Sequence, residues 1–214
     1  MNIRKEIIDH EPVQVQTLFR QWEAFMEERL HFWQLPDDGF DIHTESHCER
    51  VLFLALKIGR QRNLSTQALT ALAHASIFHD TRRKDNYLDL GHGDRAADYY
   101  HQFCEQEKLC FLPEAFTAIK FHDRDDTVGN DYIHQQTPVD AAEWLEVYHD
   151  LKDADALDRY RLGPWALDAS FLRTPEARAL MPFAERLVHD TIDPTVLKRT
   201  MDLTRPFADK FTGK

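Results

Sequence analysis

A histidine and an aspartate stand side by side at His79 and Asp80, behind the apolar runs Ala71-Leu72-Ala73 and Ile77-Phe78, and His47, His122 and Asp155 add groups of the same chemistry. Neutral imidazole with ionised carboxylate is the usual mixed ligand set for divalent Mn, Fe, Co, Ni or Zn. An ion held this way turns water into a nucleophile near neutral pH. Neighbouring side chains on a helix diverge by about 100°, so His79 and Asp80 can share an ion only near a helix end, with other ligands brought from other helices. The candidate chemistry therefore asks for a helical bundle.

The pattern of the chain agrees. Only seven glycines occur in 214 residues, alternation of β-branched residues is scarce, and apolar residues recur at three and four spacing through Val13 to Trp33, Val51 to Ile58, Leu69 to Phe78 and Val139 to Leu157. We expect an all-α fold. Helix starts are read at Ser65-Thr66, at Asp94, at Thr137-Pro138 and at Thr174-Pro175-Glu176. Two stretches resist helix assignment: Leu35 to Ile42, and Asp123 to Gln136 with its Gly129, Asn130 and several aspartates. The second is long for a bare connection, and either lines a site or is a solvated loop.

Composition narrows the function classes. At 43% hydrophobic residues the 214-residue chain can bury one substantial core, and a single domain over 1–214 is expected. The formal charge of -11, from 26 basic and 37 acidic residues, disfavours wrapping a nucleic-acid polymer, which needs a basic surface. Cys48, Cys104 and Cys110 are odd in number and form no C-x-x-C pair, so a disulfide framework and a zinc ribbon are disfavoured and a reducing, cytoplasmic setting fits. The N-terminal stretch has no apolar leader core, and no uncharged apolar run is long enough for a bilayer. A membrane partner is not expected; oligomeric state is unreadable from these features.

Four segments in order, SHCERVLFLALKIG, ALAHASIFHDTRRKDNYLDLGHGDRAADYY, IKFHDRDD and LKDADALDRYRLG, together resemble the HD superfamily of metal-dependent phosphohydrolases, whose signature is a His, a His-Asp pair and a distal Asp. The resemblance covers roughly residues 40–165 and is nearest to small bacterial HD-domain proteins in which Ser/Thr-Arg-Arg follows the pair. It implies a helical bundle with the metal between helices and His47, His79, Asp80 and Asp155 as ligands, holding one divalent ion or two. Two-metal members carry extra histidines between the pair and the distal Asp. His92 and His122 stand in that order here, and Asp80 would then bridge the ions. His92, between Gly91 and Gly93, can equally be a substrate contact.

The residues offer their own alternatives. Asp153 and Asp158 compete with Asp155; the small neighbours Ala154 and Ala156 suggest that Asp155 is the buried one of the three. His43, His47 and Arg50 share a helix face, which makes His43 a candidate substrate contact or ring-orienting neighbour. His149-Asp150 repeats the pair, but its position about 240° around the helix from Asp155 suggests a surface location. Arg82, Arg83 and Lys84 follow the metal pair directly; one of the two arginines is expected on a phosphate, unless the run merely caps a helix or pairs with Asp85 and Asp89. Arg159 is a weaker candidate.

The activity implied is hydrolysis of a small phosphate ester, with a nucleotide as one option and Tyr87, Tyr99, Tyr100 and Tyr132 near the candidate segments. Asp85, Asp123, His92 and His122 are candidates for protonating the leaving oxygen. A six-ligand His/Asp set also resembles di-iron oxygenases of the superfamily, and a non-catalytic metal- or ligand-binding domain is the third alternative. Outside the resemblance, a helix over 11–33 bears the stripe Leu18, Trp22, Phe25, Met26, Leu30 and Trp33. Helices over 175–213, with Pro206 bending or ending the last, are expected to pack on the same core.

Overall fold

The computed structural model describes residues 3–35, 45–86 and 89–208. Among these residues every regular element is helical: α1 (Lys5–Asp9), α2 (Val13–Arg29), α3 (Glu45–Gln61), α4 (Thr66–Phe78), α5 (His92–Glu107), α6 (Pro113–Phe121), α7 (Asp126–Gln136), α8 (Ala141–Leu157), α9 (Pro175–Thr191) and α10 (Pro194–Thr204). Short 3-10 turns follow α8 (Asp158–Leu162) and α10 (Arg205–Phe207). The all-α expectation holds, and Pro206 falls in the terminal 3-10 turn, where the last α-helix has already stopped. No helix among the described residues is long and apolar enough to cross a membrane.

The middle of the molecule is α3, packed on α4, α8, α2 and α9. Its sequence suggests a one-sided helix, yet every residue from His47 to Gly59 is buried. Burial on all sides is tolerable because its charged residues have partners: Glu49 accepts from the Ile3 amide at 3.0 Å, Lys57 pairs with Glu11, and Arg50 meets Asp158. Next to it, α4 is capped by the Ser65 hydroxyl, which accepts from Ala68 N at 3.0 Å. It is buried without interruption from Ala71 to Phe78, and its many alanines let neighbouring helices approach closely. The α2 stripe is a core face: Val15, Phe19, Trp22, Met26 and Leu30 are buried, Leu18 and Phe25 partly so, while Trp33 lies at the exposed end. One hydrophobic cluster runs from Ile3 to Leu187.

Three local expectations are corrected. The stretch from Asp123 to Gln136 is mostly helix, α7, with Asp125 accepting from Thr127 N at 2.9 Å as its cap. Gly129 is there for proximity, since a Cβ would stand 2.5 Å from Tyr148 Cζ of α8; it marks a helix crossing and not a loop. Helix α5 starts at His92, before Asp94, and α8 starts at Ala141, after a turn that includes Pro138. Most of Leu35 to Ile42, together with His43 and Tyr87, lies outside the described residues.

Candidate metal centre

Helix ends build the site. His79 is the C-cap of α4 and His122 the C-cap of α6, His92 opens α5, His47 lies in the first turn of α3, and Asp155 is in the last turn of α8. At a helix C-terminus the last carbonyls have no intrahelical partner, and the rings of His79 and His122 use them, while His92 takes the carbonyl of Asp89 just before its helix. Nδ1 of His79 faces Ser76 O at 2.8 Å, Nδ1 of His92 faces Asp89 O at 2.7 Å, and Nδ1 of His122 faces Ile119 O at 2.7 Å. His47 differs, because its Nδ1 meets a carboxylate, Asp158 Oδ2, at 2.7 Å. All four Nδ1 partners are acceptors, so Nδ1 carries the proton and a neutral ring presents its Nε2 lone pair.

These Nε2 atoms converge on the two oxygens of one carboxylate. Around Asp80 Oδ2, His47 Nε2 lies 3.4 Å away and His79 Nε2 3.9 Å; the two ring nitrogens are 3.2 Å apart, and Asp155 Oδ1 is 3.3 Å from His47 Nε2. Around Asp80 Oδ1, His92 Nε2 is at 3.1 Å and His122 Nε2 at 3.6 Å, with 2.8 Å between the rings. Ligands about 2.0–2.2 Å from an ion stand about 3.0–3.6 Å from one another, so both groups, His47/His79/Asp80 and Asp80/His92/His122, could hold a divalent metal ion. The donor chemistry fits as well: carboxylate oxygens and ring nitrogens whose Nδ1 is engaged elsewhere are metal ligands once any proton on Nε2 is displaced.

The charges separate the two rings of the first group: without a cation His47 holds a second proton, which a metal would displace, and His79 does not. Burial works against a charge on His47, but hydrogen bonds to Asp155, Asp158 and Asp80 overcome it and raise its pKa to about 9. Burial instead holds His79 down at about 3, neutral at any ordinary pH. For Asp155, burial is outweighed by the His47 hydrogen bond and charge, and its carboxyl stays well below the usual range. Behind His47, Asp158 is fully buried and gripped by Arg50, Nε to Oδ1 at 2.5 Å and Nη2 to Oδ2 at 3.0 Å, with Arg161 Nη1 at 3.5 Å. Burial opposes its ionisation, and the Arg50 charge keeps it ionised nonetheless.

The entrance lies at Asp155, whose side chain is 33% exposed while those of His47, His79 and Asp80 are 3% or less. The expectation that burial singles out Asp155 is therefore corrected. Asp153 and Asp158 are the fully buried pair, committed to protein donors: Asp153 receives the amides of Arg173 at 2.8 Å and Thr174 at 2.9 Å. His149-Asp150 is also not at the surface. His149 is half-buried against Asn130 Oδ1 at 2.9 Å, and Asp150 is fully buried, because α8 is packed by α3, α4, α6 and α9.

The two arginines part company. Arg82 turns its guanidinium onto the Tyr99 ring, 3.2 Å from the centroid, and donates to the His31 and Thr81 carbonyls. Arg83 faces the cluster, with Nη1 at 3.2 Å from His92 Nε2 and 3.7 Å from Asp80 Oδ1. Lys84 is exposed, and Asp89 pairs with Arg95 while accepting from the Lys84 amide at 2.7 Å. Arg159 donates to Ala166 O at 2.8 Å beyond the ligand groups. Asp123 buttresses the second group: its Oδ2 accepts from Gly91 N at 2.8 Å and Gly93 N at 3.3 Å, capping α5 from outside. Gly91 has φ +83°, and a Cβ on Gly93 would stand 2.7 Å from Lys120 O. Spacing alone did not reveal this capping role; the pair of glycines around His92 was its only trace.

No family model, curated protein or solved structure matches this chain.

Proposed function

We propose that this chain is a metal-dependent phosphohydrolase of the HD type, acting on a small phosphate ester. The observation that carries the proposal is the set of imidazole Nε2 atoms and carboxylate oxygens gathered about Asp80, with a guanidinium beside it and an entrance at Asp155. His47, His79, Asp80 and Asp155 would hold a divalent Mn, Fe, Co, Ni or Zn ion. When bound, such an ion polarises a phosphoryl oxygen and lowers the pKa of water enough to make it a nucleophile.

The chain's own groups account for the remaining roles. Arg83 would hold a phosphoryl oxygen and balance charge as it develops on the equatorial oxygens. Asp123 spends Oδ2 on the Gly91 and Gly93 amides, so the proton for the leaving oxygen would come from His92 in its imidazolium form, which keeps Nδ1–H on Asp89 O, gives up the second proton from Nε2 and returns to the neutral ring. Burial of the whole cluster excludes bulk water and strengthens each of these charge interactions. A phosphorylated small molecule would approach at Asp155, the exposed edge of the first group, and the net charge of -11 argues against a nucleic-acid polymer.

The test is elemental analysis of protein purified without chelator, beside Asp80→Ala, followed by a panel of phosphate esters on the metal-loaded protein. Bound metal and phosphate release in the wild type, both lost in Asp80→Ala, are the expected results. Absence of metal after reconstitution would end the proposal. Iron accompanied by substrate-dependent oxygen uptake would replace hydrolysis with oxygenase chemistry.

A further inference from the structure

The two groups that share Asp80 are not equivalent. The first, His47, His79 and Asp80, has a further carboxylate at its edge, Asp155 Oδ1 3.3 Å from His47 Nε2, and its His47 is backed by the ionised Asp158. A carboxylate behind the ring increases the basicity of Nε2 toward a metal. The second group has Asp80 Oδ1, His92 and His122; the ring of His122 is backed by the Ile119 carbonyl, and that of His92 by the Asp89 carbonyl at 2.7 Å, with the Asp123 carboxylate farther off at 3.4 Å and engaged by the Gly91 and Gly93 amides.

A fixed positive charge already stands at that second group. Arg83 is 6% exposed; its Nη1 lies 3.2 Å from His92 Nε2, 3.4 Å from His92 Nδ1 and 3.7 Å from Asp80 Oδ1. Its Nε is directed to Asp85 O at 3.3 Å, which anchors the side chain inside the site. A guanidinium does not lose its proton in a protein, so it cannot withdraw its charge when a cation approaches. An ion bound by His92 and His122 would lie within a few ångströms of it, in a buried setting where like charges repel strongly.

Building on the metal-dependent reading proposed above, we infer that the centre takes a single divalent ion, at His47, His79, Asp80 and Asp155, and that Arg83 supplies the second positive charge where a two-metal centre would place its second ion. The anionic substrate then lies between one metal and one arginine, bridged across Asp80, and His92 and His122 keep their Nε2 atoms for substrate and proton instead of for a metal.

Manganese stoichiometry tests this directly. Chelator-stripped wild type, Arg83→Gln and His92→Ala are saturated with Mn(II), desalted, analysed for manganese per chain and examined by electron paramagnetic resonance. One ion per chain with the hyperfine sextet of an isolated Mn(II) is expected for the wild type and for His92→Ala, whereas Arg83→Gln should bind two with the spectrum of an exchange-coupled pair. Two ions in the wild type, falling to one in His92→Ala, would overturn the inference while leaving the metal-dependent reading intact. So would a folded Arg83→Gln that still binds one. No ion in any sample would remove both, and if Arg83→Gln does not fold, the wild-type and His92→Ala stoichiometries decide alone.

Discussion

The end of α4 and the middle of α8 carry the same dipeptide, His79-Asp80 and His149-Asp150, in opposite circumstances. At the end of α4 the ring turns back on its own helix, Nδ1 to Ser76 O, and Nε2 is left facing the cluster, 3.9 Å from Oδ2 of Asp80. In the middle of α8 the carbonyls belong to the helix ladder, so His149 reaches sideways to Asn130 and Asp150 points into the core. Neither Asp150 oxygen has a hydrogen bond, and Arg62 Nε, 3.2 Å away, is poorly aligned. Burial pushes its carboxyl up to about 8, with the Arg62 charge only partly opposing. The same two side chains thus can serve as a ligand pair where a helix stops and are an electrostatic burden where it continues. His122-Asp123, at the end of α6, behaves like the first case, with its ring on Ile119 O.

The sharpest way to break this contrast is to truncate each histidine. His79→Ala should weaken metal retention by more than the roughly 10–100-fold that losing a ring-orienting partner costs, whereas His149→Ala should leave metal content unchanged; equal loss in both would dissolve the distinction. Next in size is Asp158→Ala. It leaves Arg50 and Arg161 buried without their shared carboxylate, and a loss of about 3–5 kcal/mol in urea unfolding is expected. A loss below about 1 kcal/mol would mean those charges find water.

Asp150 gives a smaller, pH-dependent effect. Because its folded pKa is raised to about 8, the folded state holds more protons than the unfolded one between the ordinary carboxylate pKa near 4 and about 8. The stability contributed by protonated Asp150 is therefore complete at low pH and lost as pH rises across that window. Asp150→Asn mimics the protonated form, so its melting temperature should exceed that of wild type by a margin that widens as pH rises from 5 to 9, with about 1–3 kcal/mol gained. Parallel pH profiles for the two proteins would count against a buried, strained carboxyl. The smallest effect is the stability change in His149→Ala, about 1 kcal/mol for the Asn130 hydrogen bond.

What the sequence discloses follows from what periodicity can and cannot encode. Apolar spacing of three and four identifies the helices, and Ser65 and Thr174 mark two starts as caps, each accepting from the amide three residues on. Periodicity does not reveal that α3 is surrounded, because Arg50 and Lys57 read as a solvent face until their partners at Asp158 and Glu11 are known. Gly129, Asn130 and the nearby aspartates read as loop, since composition does not distinguish a glycine required by a turn from one required by the Tyr148 ring. Among Asp153, Asp155 and Asp158, small neighbours are a poor guide to burial. The buried two have protein donors, and the one at the entrance does not need them. Arg82 and Arg83 are indistinguishable in a basic run; only the position of Tyr99 separates them.

The grip of Arg50 on Asp158 also bears on the order in which the protein assembles. The two residues are 108 positions apart, and His47 reaches the same carboxylate across 111. Until Asp158 has been synthesised, Arg50 has no carboxylate there to meet, so burying the central helix earlier would carry the cost of an unpaired charge. A ribosome-bound chain that stops short of Asp158 would hold α3, α4 and their apolar faces uncommitted. The carboxylate that meets His47 is thus also a counter-charge that the chain supplies to its central helix only late in synthesis.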